Sequence, residues 1–200
     1  MAKKYLRDLP SSAEEREHLR IGLGLSDINN TFESFKPIAG ARQSLALFKE
    51  ISSNPAWRML ACYGSPGNGK THLCEALAID LWRQGIFTRV VAWAQVIRRF
   101  KGSFDKQLGE LPYHMVFDRF LKMERLILDD VGTGTSGSAW EWAELEEIVR
   151  YRYHENKFTV ITSNLDSLPA RVVSRFNDNT RARIIKNEAP DYRPKKGGGI

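Results

Sequence analysis

Short apolar runs alternate with longer amphipathic stretches along the chain, and this alternation predicts the order of its secondary-structure elements. A weak apolar run at 184–185 follows four stronger ones that are typical of buried strands, namely residues 57–63, 87–93, 125–131 and 158–162. Apolar residues recur at helical spacing over 73–82, with Gly85 as the predicted stop, and over 139–154. The pattern predicts an α/β fold with a five-stranded parallel sheet flanked by helices, which binds ligands at the carboxyl ends of its strands.

Composition narrows the class of protein. The 200 residues carry 30 Lys and Arg against 24 Asp and Glu, a net charge of +6, which is compatible with nucleic-acid binding but also with mere solubility. The two cysteines, Cys62 and Cys74, lie in apolar patterns and are expected to be buried, which excludes a disulfide scaffold and a Cys-ligated zinc site. No apolar run is long enough to span a bilayer and no signal peptide is evident, so we expect a cytoplasmic protein without a membrane partner.

The two ends differ from the middle of the chain. Residues 1–30 are rich in charge, glycine and asparagine, and residues 194–200 end in a Lys-Lys-Gly-Gly-Gly-Ile tail. We expect the first segment to be an N-terminal extension that is disordered or binds a partner, and the last to be flexible. The folded domain is then expected to span 31–193.

A glycine-rich loop follows the first predicted strand and precedes the first helix. It matches the pattern G-x-x-x-x-G-K-T, whose backbone N–H groups surround phosphate oxygens at a helix N-terminus. In such loops the lysine contacts the β- and γ-phosphates, and the threonine hydroxyl binds Mg²⁺. The predicted nucleotide-binding residues are Gly64, Ser65, Pro66, Gly67, Asn68, Gly69, Lys70, Thr71 and His72.

Two carboxylates end the third predicted strand. We expect Asp129 to hold Mg²⁺ together with Thr71, and Asp130 to polarise the water that attacks the γ-phosphate. The alternative for Asp130 is a turn before Gly132. Together with the phosphate loop, the pair predicts hydrolysis of a nucleoside triphosphate with Mg²⁺ as cofactor.

The order of three sequence segments along the chain indicates similarity to a known family. The order of GSPGNGKTHL, LILDD and the stretch from Arg152 to Leu165 resembles AAA+ ATPases of the DnaC/IstB group, the bacterial helicase loaders and transposition helpers. The resemblance covers residues 31–193. It implies an AAA+ P-loop fold without a separate C-terminal lid domain, and action as a homo-oligomeric ring, spiral or filament.

The resemblance also implies residue roles. Asn164 would be the sensor that holds the attacking water, Arg175 the arginine finger offered to the neighbouring subunit, and Arg193 a second sensor. From the residues alone, the alternative for Asn164 is a turn-forming asparagine, and an arginine such as Arg175 on an amphipathic helix is more often a solvated charge. Asp130 stands where many AAA+ proteins have Glu, so we expect slow hydrolysis. The segment that packs near adenine in the family corresponds to Phe32, Phe35 and Ile38, which are equally plausible as core.

A basic cluster lies after the second predicted strand. Its cations alternate with Phe100 and Phe104, a combination that suits a phosphate backbone and stacked bases, although an amphipathic helix with a solvated basic face has the same pattern. The resemblance places such loops at a central channel and favours contact with DNA, which we expect to be single-stranded. The candidate DNA-binding residues are Arg98, Arg99, Lys101 and Lys106.

The sequence leaves four functions open. The first is a helicase loader that delivers a replicative helicase to DNA, and the second is a transposition helper that recruits a transposase. The third is a small-molecule P-loop kinase, and the fourth is a binding module without turnover.

Overall fold

The computed structural model describes residues 6–54, 56–104, 111–134, 136–165 and 168–192. Its five strands are all parallel and lie in the order β2-β3-β4-β1-β5. The strands are β1 (Met59–Tyr63), β2 (Arg89–Ala92), β3 (Arg125–Val131), β4 (Phe158–Ser163) and β5 (Ala182–Lys186). The α/β fold class and the five strands predicted from the sequence are confirmed.

Helices cover both faces of the sheet. They are α1 (Ala13–Leu23), α2 (Arg42–Ser53), α3 (Lys70–Arg83), α4 (Trp93–Phe104), α5 (Tyr113–Lys122), α6 (Ala139–His154) and α7 (Ala170–Phe176). Successive residues of β1 point to opposite faces, so that Met59 and Ala61 join one core cluster and Leu60 and Cys62 the other. The first cluster packs α4 to α7 and the second packs α1 to α3, which gives three layers.

The N-terminal segment departs from expectation, because residues 6–30 belong to the fold. Ser12 caps α1, and Leu23, Leu25 and Ile28 are buried in the second cluster. Gly24 lies so close to the edge strand β2 that an added Cβ would stand 2.1 Å from the carbonyl oxygen of Val90. The boundary expected at residue 30 therefore does not mark the edge of the domain, and this segment covers an otherwise open sheet edge.

The buried Arg152 of α6 links the end of α5 to the start of β4 by hydrogen bonds. Its guanidinium is 0% exposed and donates to Thr159 Oγ1 and to the carbonyl oxygens of Phe120, Leu121, Met123 and Phe158. Burial lowers the pKa of Arg152 to about 10, so the group stays charged at neutral pH. It joins the end of α5 to the start of β4.

The structure also bears on the expectations for the two cysteines, for membrane-spanning helices and for a C-terminal lid. Cys62 and Cys74 are buried free thiols, and burial raises the pKa of Cys62 to about 12. Within the described ranges no helix is long and apolar enough to cross a membrane. Residues 187–192, the described stretch after β5, contain no helix and so no part of a helical lid. The expected tail at 194–200 lies outside the described residues.

Candidate functional site: a phosphate loop facing two carboxylates

The phosphate loop connects the central strand β1 to α3. Gly69 forms the N-terminal cap of α3 with φ 89°, a conformation that favours glycine, and an added Cβ there would lie 2.7 Å from the Phe35 ring. Ser65 and Pro66 are exposed, whereas Asn68 and Lys70 are buried. The loop and the carboxyl ends of β3 and β4 line a cavity of about 210 Å³.

Lys70 is held by the loop itself. Its Nζ donates to the carbonyl oxygens of Gly64 and Ser65, both at 2.8 Å, and to Asn68 Oδ1 at 3.0 Å. Burial lowers the pKa of the Lys70 amine below its ordinary value. The ammonium borders the cavity, so phosphate oxygens entering it can replace these three acceptors.

Asp129 lies directly opposite, at the end of β3. Thr71 Oγ1 donates to Asp129 Oδ2 at 2.8 Å, and Thr162 Oγ1 donates to Oδ1. Burial raises the pKa of Asp129, although the bonds from Thr162 and Thr71 oppose the rise. A carboxylate beside a threonine hydroxyl is the oxygen ligand set that Mg²⁺ uses next to nucleotide phosphates. The residues present therefore fit the metal.

Asp130 and Asn164 meet across neighbouring strands. The register of β3 with β4 shifts between Leu128 and Val131, and Asp130 adopts φ 60° at this irregularity. Aspartate tolerates such a left-handed conformation better than longer side chains do. Asn164 Nδ2 donates to Asp130 Oδ1 at 2.5 Å. The two residues predicted to handle the attacking water thus border one cavity with Lys70.

Two residues at this site were not predicted. Thr162 bonds both acids, because its Oγ1 also accepts from the Asp130 N–H at 3.0 Å. Asn187, just after β5, donates from Nδ2 to the Asn68 carbonyl at 3.1 Å, and Asn68 Nδ2 donates to the Asn187 carbonyl at 3.0 Å. A polar residue inside an apolar strand was the available signal for Thr162. No local pattern marks Asn187.

A second cavity adjoins the phosphate loop. It measures about 310 Å³, and its lining includes Phe35, Ile38, His72 and Tyr192. His72 Nε2 lies 2.9 Å from the Thr31 carbonyl oxygen, and its ring meets the Phe35 ring edge-on at 5.1 Å between centroids. Its size and apolar wall suit a nucleobase. The sequence left Phe32, Phe35 and Ile38 open as contacts to the adenine or as parts of the core. Phe35 and Ile38 line this cavity, whereas Phe32 is buried in the second core cluster.

The remaining catalytic candidates lie elsewhere. Arg175 is half-buried on α7, where its NH1 donates to the Arg171 carbonyl at 2.5 Å, and it borders neither nucleotide cavity. It shares a surface groove with Glu146 and Glu147 of α6. Arg193 lies outside the described residues.

The residues of the basic cluster on α4 lie on different faces of the helix and differ in exposure. Arg98 and Arg99 are exposed, but Lys101 Nζ donates to Glu141 Oε1 at 2.9 Å, so its charge is already matched by a buried carboxylate. Phe100 is 0% exposed, which corrects the expectation that it stacks on bases: it sits on the inner face of α4 among the aromatic side chains of α5 and α6. Phe104 is 53% exposed and stacks on Tyr113. Lys106 lies outside the described residues.

Comparison with known sequences gives a family match over most of the chain. The sequence profile described as "IstB-like ATP binding protein" matches residues 38–185. A putative insertion sequence ATP-binding protein of Sinorhizobium fredii is 32% identical over 164 residues, which are 75% of this chain and 51% of the relative. The uncharacterized protein YqaM of Bacillus subtilis is 26% identical over 182 residues, or 82% of this chain and 52% of YqaM. The chain thus spans about half the length of these relatives.

Solved structures share the fold. AMPPCP-bound DnaA of Aquifex aeolicus superposes with a TM-score of 0.67 and 22% identity, covering 82% of this chain and 51% of DnaA. The DnaC helicase loader superposes with a TM-score of 0.62 and 24% identity, covering 80% of this chain and 97% of that one. These similarities show a fold of the AAA+ P-loop NTPase type.

Proposed function

Because this chain belongs to the IstB-like ATP-binding protein family, we propose that it is an ATP-hydrolysing AAA+ assembly factor that oligomerises on DNA and delivers a DNA-processing enzyme. The observation that carries the proposal is the cavity at the carboxyl ends of the strands, where Lys70, Asp129, Asp130 and Asn164 converge. Its polar groups come from the phosphate loop with the start of α3, from the end of β3 and from the end of β4. Such an arrangement suits phosphoryl transfer to water.

The residues divide the chemistry among them. The loop N–H groups and Lys70 bind the β- and γ-phosphates, and Thr71 with Asp129 would hold Mg²⁺, which would neutralise phosphate charge. Asp130 accepts a proton from the attacking water, and Asn164 orients that water through its amide. The short Asp130 side chain is already bonded to Asn164, so water must compete for the carboxylate. We infer slow turnover, which suits a switch between states.

This assignment has a direct test. Asp130→Asn removes the proton acceptor but keeps the acceptor oxygen, so ATP turnover falls by roughly 10²-fold or more while ATP binding persists. Turnover is followed by phosphate release and binding by fluorescence of a labelled ATP analogue. Retention of wild-type turnover in this variant would show that another group activates the water.

A homo-oligomer is part of the proposal, with Arg175 completing the site of the neighbouring subunit. Its position away from its own cavities supports this. Arg175→Ala and Lys70→Ala subunits, each inactive alone, recover turnover when mixed, since a mixed interface joins an intact loop to an intact finger. A P-loop kinase acting as a monomer predicts no recovery. A module that only binds nucleotide predicts no turnover in the wild type.

DNA binding is proposed for the exposed face of α4. Arg98 is the clearest candidate, because Lys101 already pairs with Glu141. Arg98→Glu weakens ATP-dependent binding of an oligo-dT probe by about tenfold at low salt and lowers the salt dependence, as expected for lost phosphate contacts. Arg119→Glu, on α5, is the matched control. Equal binding by wild type and Arg98→Glu would remove this face from the proposal.

Two delivered enzymes are candidates. A replicative helicase is supported by the motif order and by the fold shared with the DnaC helicase loader. A transposase is supported by the family match and by the insertion sequence ATP-binding relative. Pull-down of each purified enzyme by the ATP-bound Asp130→Asn variant decides between them: the true partner is retained with ATP and lost without it.

A further inference from the structure

A further cleft lies outside the nucleotide cavities. It runs between α4 and α5 beside the edge strand β2 and has a volume of about 370 Å³. It shares no lining residue with either nucleotide cavity. Arg89 begins β2 and Met123 ends α5 just before β3, so the cleft lies toward the amino ends of strands whose carboxyl ends carry the catalytic acids. We call it the β2 groove.

Three arginines from three different elements line the β2 groove. Arg89 comes from β2, Arg99 from α4 and Arg119 from α5. Among the described residues none of the three side chains has a hydrogen-bond or ion-pair partner, and no acidic side chain lines the cleft. Elsewhere on this surface arginines find such partners, as Arg150 does in Glu147 and Arg171 in Glu146. As far as the described residues reach, the groove therefore presents uncompensated positive charge.

The floor between these cations is apolar. Val116, Phe120 and Met123 contribute to it, and Met123 is flexible enough to fit differently shaped side chains. A cleft of this size accommodates one or two large apolar side chains. Arginine around a small apolar pocket is the composition of protein interaction sites that bind an anchor residue, with bidentate bonds to nearby carboxylates.

The neighbouring cation Arg98 belongs to another surface. Consecutive residues of a helix point about 100° apart. Arg99 lines the β2 groove and Arg98 does not. The aliphatic and thioether character of the floor, with one phenylalanine, offers few ring faces for base stacking. A carboxylate-bearing segment with an apolar anchor uses both the floor and the rim, whereas a DNA backbone uses the rim alone.

We propose that the β2 groove docks a short acidic peptide segment of a partner protein, which inserts a large aliphatic side chain between Arg89, Arg99 and Arg119. The site does not require ATP. It goes beyond the proposed ATPase function, and it stands or falls separately, since it can be measured in the Lys70→Ala variant.

The test begins with a random dodecapeptide phage library, selected on the full chain and counter-selected on an Arg89→Glu/Arg119→Glu double variant. We expect the surviving peptides to contain Asp or Glu together with Leu, Ile or Met. One such peptide, synthesised with a fluorophore, then binds Arg119→Glu at least about tenfold more weakly than wild type, as expected for loss of a desolvated charge pair. Arg98→Glu, with the same charge change on α4, binds it within about twofold of wild type.

Methyl NMR locates the bound peptide. The chain has four methionines, of which Met123 lines the groove, Met59 is buried in the core and Met115 is exposed on α5 outside the groove. The peptide shifts the ¹³C-methyl signal of Met123 and leaves that of Met59 unchanged. Absence of any peptide enriched over the double variant overturns the proposal. An oligo-dT probe that shifts Met123 and displaces the peptide also overturns it and assigns the groove to nucleic acid.

Discussion

The nucleotide cavity and the packed interior beneath α5 and α6 both contain buried charges, yet they treat them differently. At the cavity, burial lowers the pKa of Lys70 and raises that of Asp129, so each shifts toward its neutral form. In the interior, Arg152 has five acceptors, and Glu141 has donors in Lys101, Ser136 and the Ser138 N–H. In the interior, the protein itself supplies the hydrogen-bond and ion-pair partners of the buried charges. At the cavity, the buried charges are matched by a ligand that carries charge of its own.

The largest effect is expected at Lys70. Lys70→Ala removes the cation that meets the phosphates, so ATP turnover falls by roughly 10²- to 10³-fold, while the free energy of unfolding without nucleotide changes by less than about 1 kcal/mol. Phosphate release and urea denaturation measure the two quantities. Lys122→Ala, at an exposed ion pair with Asp118, is the control and leaves both unchanged. A large loss of stability in Lys70→Ala would mean that this charge is structural after all.

Arg152 tests the other region. Arg152→Met leaves up to five buried acceptors without their donor, and we expect the free energy of unfolding to fall by about 3 kcal/mol or more. Arg150→Met, on the same helix but at an exposed pair with Glu147, costs less than about 1 kcal/mol. Urea denaturation compares the two. Equal losses of unfolding free energy in the two variants would show that the buried hydrogen bonds of Arg152 contribute no more to stability than an exposed ion pair does.

We expect the buried carboxylate of Asp129 to lower the stability of the nucleotide-free protein at neutral pH. Its raised pKa means that the folded state holds a proton at Asp129 more tightly than the unfolded chain does, so the contribution of Asp129 to stability is complete at low pH and is lost as pH rises through the native pKa. Asp129→Asn escapes this loss. We expect its thermal midpoint at pH 7 without nucleotide to rise by about 2–4 °C, the shift that roughly 1 kcal/mol produces in a domain of this size. A lower midpoint would show that the threonine bonds outweigh burial.

Glu141 should behave in the opposite way, with a smaller effect. Burial alone would raise the pKa of Glu141, but bonds from Lys101, Ser136 and the Ser138 N–H lower it to about 2. Its contribution is therefore complete above the ordinary value of 4.5 and is lost as pH falls toward 2. Glu141→Gln, which weakens the N-terminal cap of α6, costs about 0.5–1 kcal/mol at pH 7 and flattens stability between these pH values. Denaturation curves across that range measure it.

Much of the fold and the catalytic end was predictable because the signals are local. The strand before the phosphate loop, the loop itself and the strand that ends in Asp129 and Asp130 are each contiguous in sequence. The parallel arrangement then brings strand ends together without further information. The position of Asn164 beside Asp130 follows from β3 and β4 being neighbours.

What escaped prediction depends on contacts between distant residues. Leu23 and Leu25 are sparse apolar residues in a charged segment, and their burial requires the β2 edge, which no local pattern specifies. The α4 cluster shows the same limit, because Phe100 and Phe104 are both aromatic and only the helix orientation buries one and exposes the other. Lys101 appeared to be a free cation because Glu141, its partner, lies forty residues away in sequence.

The paired asparagines described above have an evolutionary consequence. Each donates its side-chain amide to the other's backbone carbonyl, across 119 positions of sequence, and this joins the phosphate loop to the chain after β5. Replacing either residue by aspartate would leave one carbonyl without a donor and set two acceptors face to face. Among relatives that keep this junction, positions 68 and 187 should therefore change together or not at all, so the pair can be followed through an alignment as one inherited character.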